Sequence, residues 1–187
     1  MRYWMDTEFI DDGKTIDLIS IGIVCEDGRE LYLESADFDK GKANQWVREN
    51  VLPHLKGGEC RWPLRSIKVT LLDFFDIEEY GNPELWGWCG AYDFVALCQL
   101  FGTMMDLPKG YPHYINDLQQ ELDRIGLSDE DLPPQKGTAH NALEDARHIM
   151  KLWKWLEPLP LPELSDSERE QWHIFSMRDV ILQRDFE

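Results

Sequence analysis

MRYWMDTEFIDDGKTIDLISIGIVCEDGRELYLES, residues 1–35, reads as three strands joined by two tight turns. Tyr3 to Phe9 alternates in strand fashion, Asp11-Asp12-Gly13 is a turn, and Ile16 to Val24 is an apolar, β-branched run. Asp27-Gly28 is a strong hairpin signal leading into Glu30 to Glu34. An antiparallel meander is therefore expected. On its first strand, Asp6 and Glu8 project to the same face, because side chains alternate along a strand.

Downstream of the meander the pattern turns mostly helical. Residues 44–55 form a helix that Pro53 disturbs, and 66–80 form a second helix closed by Asn82-Pro83. Glu84 to Cys89 reads as a buried strand, followed by helices over 91–101, 117–125 and 141–156. Strands followed by alternating helix and strand predict an α/β layered domain. Its mixed central sheet has three antiparallel strands, then parallel ones, flanked by helices. That order of elements resembles ribonuclease H-like folds. Residues 1–157 are expected to form this domain. Residues 158–187 are expected to hold a proline-rich connector (EPLPLPEL begins at 157) and a C-terminal helical extension packing on the domain or on a dimer partner.

Composition bounds the chemistry. A chain of 187 residues suits one well-buried core. No apolar run approaches the roughly 20 residues needed to span a bilayer, and acids at positions 6 and 8 interrupt any signal-peptide pattern. No membrane association and a cytoplasmic location are expected. Cys25, Cys60, Cys89 and Cys98 include no C-x-x-C pair, which disfavours a zinc site or a disulfide scaffold. Nineteen Lys and Arg against 36 Asp and Glu give a net charge of −17, the wrong sign for a long basic groove. Either the protein does not touch nucleic acid, or it holds a few nucleotides at a site whose charge bound metal ions reverse.

Three constellations carry chemistry. Asp6 and Glu8 repel each other unless a divalent cation satisfies both, and oxygen-only ligands suit Mg²⁺ or Mn²⁺. A solvated strand face would also accommodate the pair. In GTAHNALEDARHIM (137–150), Asn141 followed by Glu144 resembles a capping box, leaving His140 on the incoming loop. Asp145 falls in step with Ala142, Ile149, Leu152 and Leu156, the apolar face. There it needs a partner, a cation or a basic group such as Arg147. Asp93, in the first turn of the helix after the 84–89 strand, is also explained by the helix dipole alone.

Taken together, Asp6, Glu8, Asp93, His140 and Asp145 resemble the DEDDh 3′→5′ exonuclease family, which includes proofreading subunits, oligoribonuclease and ribonuclease T. YWMDTEFIDDG, LISIGIV, EDGRE, Asp117-Leu-Gln-Gln120 and HNALEDAR look closest to the RNase AS group of poly(A)-favouring exoribonucleases, over residues 1–156. The resemblance implies two Mg²⁺ or Mn²⁺ ions. Asp6, Glu8 and Asp145 would hold the first, Asp6 would share in the second, and Asp93 would support the pair. His140 would act as general base on the attacking water. It also implies a single-stranded RNA 3′ end as substrate, nucleoside 5′-monophosphates as products, and a homodimer.

Phe9 is a candidate stacking platform for the terminal base, or a core residue behind the strand. Gln119 and Gln120 are candidate substrate contacts. Trp86, Trp88, Trp153 and Trp155 read as core, and His54, His113, His148 and His173 as ordinary polar residues. Single-stranded DNA is the alternative substrate, and an inactive protein-binding module is the alternative of another class.

Overall fold

Alternation along the first strand divides its side chains between two layers, and this division organises the molecule. The computed structural model describes residues 1–156. In it β1 (Arg2–Asp11) pairs antiparallel with β2 (Ile16–Cys25), and β2 pairs antiparallel with β3 (Glu30–Ser35). On the other side of β1, β5 (Glu84–Gly87) runs parallel to it and β6 (Asn116–Asp117) runs parallel to β5. With the short β4 (Arg61–Trp62) parallel to β3, the six strands lie in the order β4-β3-β2-β1-β5-β6. The mixed sheet matches the expectation. The two-residue strands β4 and β6 carry too little pattern to be read from the chain.

On one face Tyr3, Met5, Ile21 and Ile23 pack against Ile67, Leu71 and Phe75 of α2 (Leu64–Phe75) and against Leu97 and Phe101 of α4 (Ala91–Phe101). On the other, Trp4 packs with Ile149 and Leu152 of α6 (Ala142–Leu156) and with Leu118 and Leu122 of α5 (Leu118–Ile125). A third cluster joins Ile10 and Ile19 to Val47 of α1 (Gln45–Asn50).

Two expected helices are divided. α1 ends at Asn50, and Pro53 lies in a separate 3₁₀ turn, Leu52–His54. The helix expected over 66–80 breaks at Asp76, whose positive φ of 24° ends α2; its side chain then caps α3 (Ile77–Tyr80). The connector and helix expected over 158–187 lie outside the described residues, as does His173. Among the described residues no helix is long and apolar enough to cross a membrane.

Candidate active site

The acidic face of β1 lies where its parallel neighbour stops. β5 pairs with β1 only as far as Trp4 and Trp86. Beyond that point the strand edge opens a crevice at the carboxyl ends of two parallel strands, a habitual place for ligands in open α/β sheets. Asp6 and Glu8 project from β1 to the face that α6 covers. Asp145, in the first turn of α6, meets them there, and carboxylate oxygens of the three lie within 4.8 Å of one another.

The approach of α6 depends on Gly22. Gly22 is the β2 partner of Asp6, and a Cβ placed on it would lie 2.2 Å from the carbonyl carbon of Ala142. Only a residue without a side chain lets the helix start so low on the sheet. Asn141 fixes the same end from outside. Its Oδ1 accepts from the Glu144 N–H at 3.3 Å, and its Nδ2 donates to the His54 carbonyl at 3.3 Å. The cap is therefore formed at Asn141. The Glu144 carboxylate accepts from Arg147 instead of completing a capping box, and Arg147 also pairs with Glu30. Arg147 is thus not the partner of Asp145. That role falls to Gln135, whose Nε2 donates to Asp145 Oδ1. Gln135 lies ten residues upstream on a loop with no periodic pattern, and no local signal points to it.

Asp93 is buried and approaches from the α4 side. The Thr7 backbone N–H and hydroxyl both donate to its Oδ1, at 2.8 and 2.6 Å. The first of these bonds satisfies a strand N–H that β5 leaves unpaired. The turn that delivers Asp93 is held by Asp117, which accepts from the N–H groups of Cys89 and Gly90 and caps α5. Cys89 is exposed at that turn, not buried in a strand.

His140 precedes the helix with a φ of 61°, on the loop as expected. Its ring meets the Trp46 ring edge-on, with centroids 4.8 Å apart. Both residues line a cavity of about 600 Å³, together with Asp6, Glu8 and Asp145. Phe9 and Trp88 also line it, as does His148, which the sequence offered no reason to single out. A bulge between Glu8 and Phe9 interrupts the register with β2. Phe9 stacks on Tyr92 of α4, rings 12° from parallel and 5.6 Å apart. Trp86, Trp88 and Trp153 pack half-buried against the core around Trp4, and Trp88 also borders the cavity; Trp155, 36% exposed, is not core. Gln119 bonds Asp123, Gln120 is exposed, and neither borders the cavity.

The electrostatics are those of carboxylates crowded together and partly closed to water. Burial, then the neighbouring Asp93, Glu8 and Asp145 charges, push Asp6 well above the carboxylate range. Burial with Asp145 and Asp93 raises Glu8 to about 8. Burial raises Asp93 to about 6 despite the Thr7 bonds, and it also raises Asp145 against the opposing Gln135 bond. Carboxylates crowded at one buried site are costly, and His140, acting on Asp145, opposes their repulsion there. A hard divalent ion, which takes oxygen ligands, fits the Asp6, Glu8 and Asp145 donor set.

Residues 1–156 match the family described as the 3′-5′ exoribonuclease Rv2179c-like domain. The chain is also 46% identical over 156 residues to two proteins of Mycobacterium tuberculosis. They are 3′-5′ exoribonuclease Rv2179c of strain ATCC 25618 / H37Rv and 3′-5′ exoribonuclease MT2234.1 of strain CDC 1551 / Oshkosh. Each alignment covers 82% of this chain and 92% of the relative.

Proposed function

Because the chain belongs to the 3′-5′ exoribonuclease Rv2179c-like domain family, of DEDDh 3′-5′ exonucleases, we propose that it removes nucleotides from the 3′ end of single-stranded RNA. The observation that carries this reading is the convergence of Asp6, Glu8 and Asp145 within 4.8 Å in the cavity that His140 also lines. The similarity to the mycobacterial exoribonucleases supports RNA over DNA, and an RNase AS-like preference for adenosine-rich ends is part of the proposal.

In this reading Asp6, Glu8 and Asp145 hold one Mg²⁺ or Mn²⁺, and Asp6, supported by Asp93, shares in holding a second. Such ions, when bound, neutralise the scissile phosphate and stabilise the attacking and leaving oxygens. His140 accepts the proton of the attacking water from its loop, with Trp46 limiting the positions its ring can take. Gln135 keeps the Asp145 carboxylate oriented, and Thr7 does the same for Asp93. The apolar rim at Phe9 and Trp88 offers ring faces to bases without demanding a sequence. Gln119 and Gln120 have no part in this account.

The test is a gel-resolved digestion of 5′-labelled oligo(A) RNA, mixed-sequence RNA and the matching DNA, with Mg²⁺, Mn²⁺ or chelator, beside Asp6→Ala. Metal-dependent ladders shortening from the 3′ end, fastest on RNA and absent in the variant, are expected. A folded, metal-loaded protein that shortens none of them refutes the reading, and faster loss of DNA moves the substrate.

A further inference from the structure

A second cavity lies on the same sheet face as the acidic cluster. Glu8 pairs with Ser20 and Ser20 with Glu34, so the three side chains form one cross-strand row. At a strand spacing of about 4.8 Å, Glu34 stands roughly 10 Å from Glu8. Glu34 lines a cavity of about 190 Å³ that Lys40, Lys56 and Arg61 also line.

The charge of this cavity is positive in a chain of net charge −17. Its single carboxylate, Glu34, is buried and turned onto the Lys56 and Gly57 backbone N–H groups and the Tyr32 hydroxyl. Lys40, Lys56 and Arg61 make no ion pair among the described residues. No lysine among the described residues makes an ion pair, and what sets these three cations apart is that they line one cavity. Three unpaired cations brought together in so acidic a protein leave a concave site suited to an anion.

This cavity is tied to the acidic site by short contacts. The Lys56 ammonium lies 4.7 Å from the Tyr32 ring, and the Tyr32 hydroxyl accepts from Asn141 Nδ2 at 3.5 Å. Asn141 follows His140 directly and also bonds the carbonyl of His54, two residues before Lys56. Successive phosphates of one strand advance about 3.4 Å along a duplex axis and further when unstacked. Roughly 10 Å is then no more than about three nucleotides.

We infer that the Lys40–Lys56–Arg61 cavity is a backbone-phosphate subsite for the RNA strand upstream of its 3′-terminal nucleotide. The inference rests on the exonuclease reading for the strand's direction. Contacts to phosphate carry no sequence information, so the subsite favours length and not base identity. It gives the enzyme a grip on single-stranded tails that the metal-binding cluster alone lacks.

The test compares the full chain with the Lys40→Ala/Lys56→Ala/Arg61→Ala variant and with Lys56→Gln, each checked for an unchanged melting temperature. Fluorescence anisotropy with 3′-terminal two-nucleotide and eight-nucleotide adenosine RNAs, 5′-labelled and in Ca²⁺, gives affinities across a salt series. We expect the triple variant to bind the eight-mer at least tenfold more weakly. Its slope of log affinity against log salt should be shallower by about 2, at about 0.7 per phosphate contact for single strands. Lys56→Gln should fall between, and dinucleotide affinity should not move. An eight-mer affinity and slope equal to the parent's, or a parent that binds the eight-mer no more tightly than the dinucleotide, overturns the subsite. Dinucleotide hydrolysis in Mg²⁺ is read alongside. Its absence in the parent counts against the exonuclease reading, while the anisotropy comparison still judges the subsite.

Discussion

Gly22 and Ala142 touch where a side chain would be impossible: a Cβ on Gly22 would fall 2.2 Å from the Ala142 carbonyl carbon. Gly22 is also the β2 neighbour of Asp6. A single absent methyl group therefore sets how closely α6, and Asp145 with it, approaches the carboxylates of β1. Three acids from two distant parts of the chain become one cluster through that contact.

Gly22→Ala should consequently damage both stability and site. Overpacking costs typically about 1–3 kcal/mol, and a backbone-to-Cβ clash that cannot be relieved by a rotamer belongs at or above the upper end. Urea denaturation should show that loss, and Mn²⁺ should raise the melting temperature less than in the parent. A variant with parental stability and metal response would mean that α6 does not depend on this contact.

The metal-free protein should lose stability as pH rises. Glu8 is raised from 4.5 to about 8 and Asp93 from 3.8 to about 6, so folding favours their protonated forms. Their contribution is complete below the ordinary carboxylate range and disappears as pH climbs, from 3.8 to about 6 for Asp93 and from 4.5 to about 8 for Glu8. For Glu8 the loss at pH 7 is at most about 3 kcal/mol. In chelator the melting temperature should fall across this window; with Mn²⁺ it should stay flatter, and metal binding should release protons. Glu8→Gln should raise the metal-free melting temperature at pH 8 and abolish the Mn²⁺ response. Superimposable curves for variant and parent would contradict this.

Gln135→Ala should weaken the hold on metal without unfolding the protein, because Gln135 orients Asp145 from a surface loop. Loss of a hydrogen-bond partner of a metal ligand typically costs about 10–100-fold in affinity or activity. Isothermal titration with Mn²⁺ measures this directly, and Gln135→Glu, adding a fifth carboxylate, should not restore the parent's value at low metal. Unchanged Mn²⁺ affinity in Gln135→Ala would remove Gln135 from the site.

Trp46→Ala tests whether His140 needs its wall. Trp46 is 52% exposed, so little stability should be lost, yet its ring meets the imidazole edge-on. An aromatic pair is worth about 0.5–1.5 kcal/mol, which corresponds to a fall in kcat of roughly 2- to 10-fold with Mn²⁺ affinity unchanged. A change confined to KM would instead assign Trp46 to substrate contact.

The meander was legible because it is local. The alternation from Tyr3 to Phe9, the β-branched run from Ile16, and Asp27-Gly28 each dictate a backbone geometry without reference to the rest of the chain. The same holds for α4 and α6, where apolar spacing and flanking residues suffice. The shared face of Asp6 and Glu8 follows from the pleat alone, and the loop position of His140 from the Asn141 cap. The positive φ at Asp76 that divides one helix, and the hydrogen bonds of two-residue strands such as β4 and β6, carry no comparable local pattern.

Assembly of the site required three dimensions. Gln135 on Asp145, Thr7 on Asp93, Trp46 against His140 and the Phe9–Tyr92 stack join residues 10, 86, 94 and 83 positions apart, and no periodicity links such pairs. Arg147 shows the same limit from the other side: it is two residues from Asp145 yet bonds Glu30 and Glu144, because side chains two positions apart on a helix do not face each other while those three apart do. Gly22 alone left a trace, a glycine within a β-branched strand. Periodicity fixes which way a side chain faces within its own element; what it meets depends on how elements pack, and packing is settled by contacts between residues far apart in the chain.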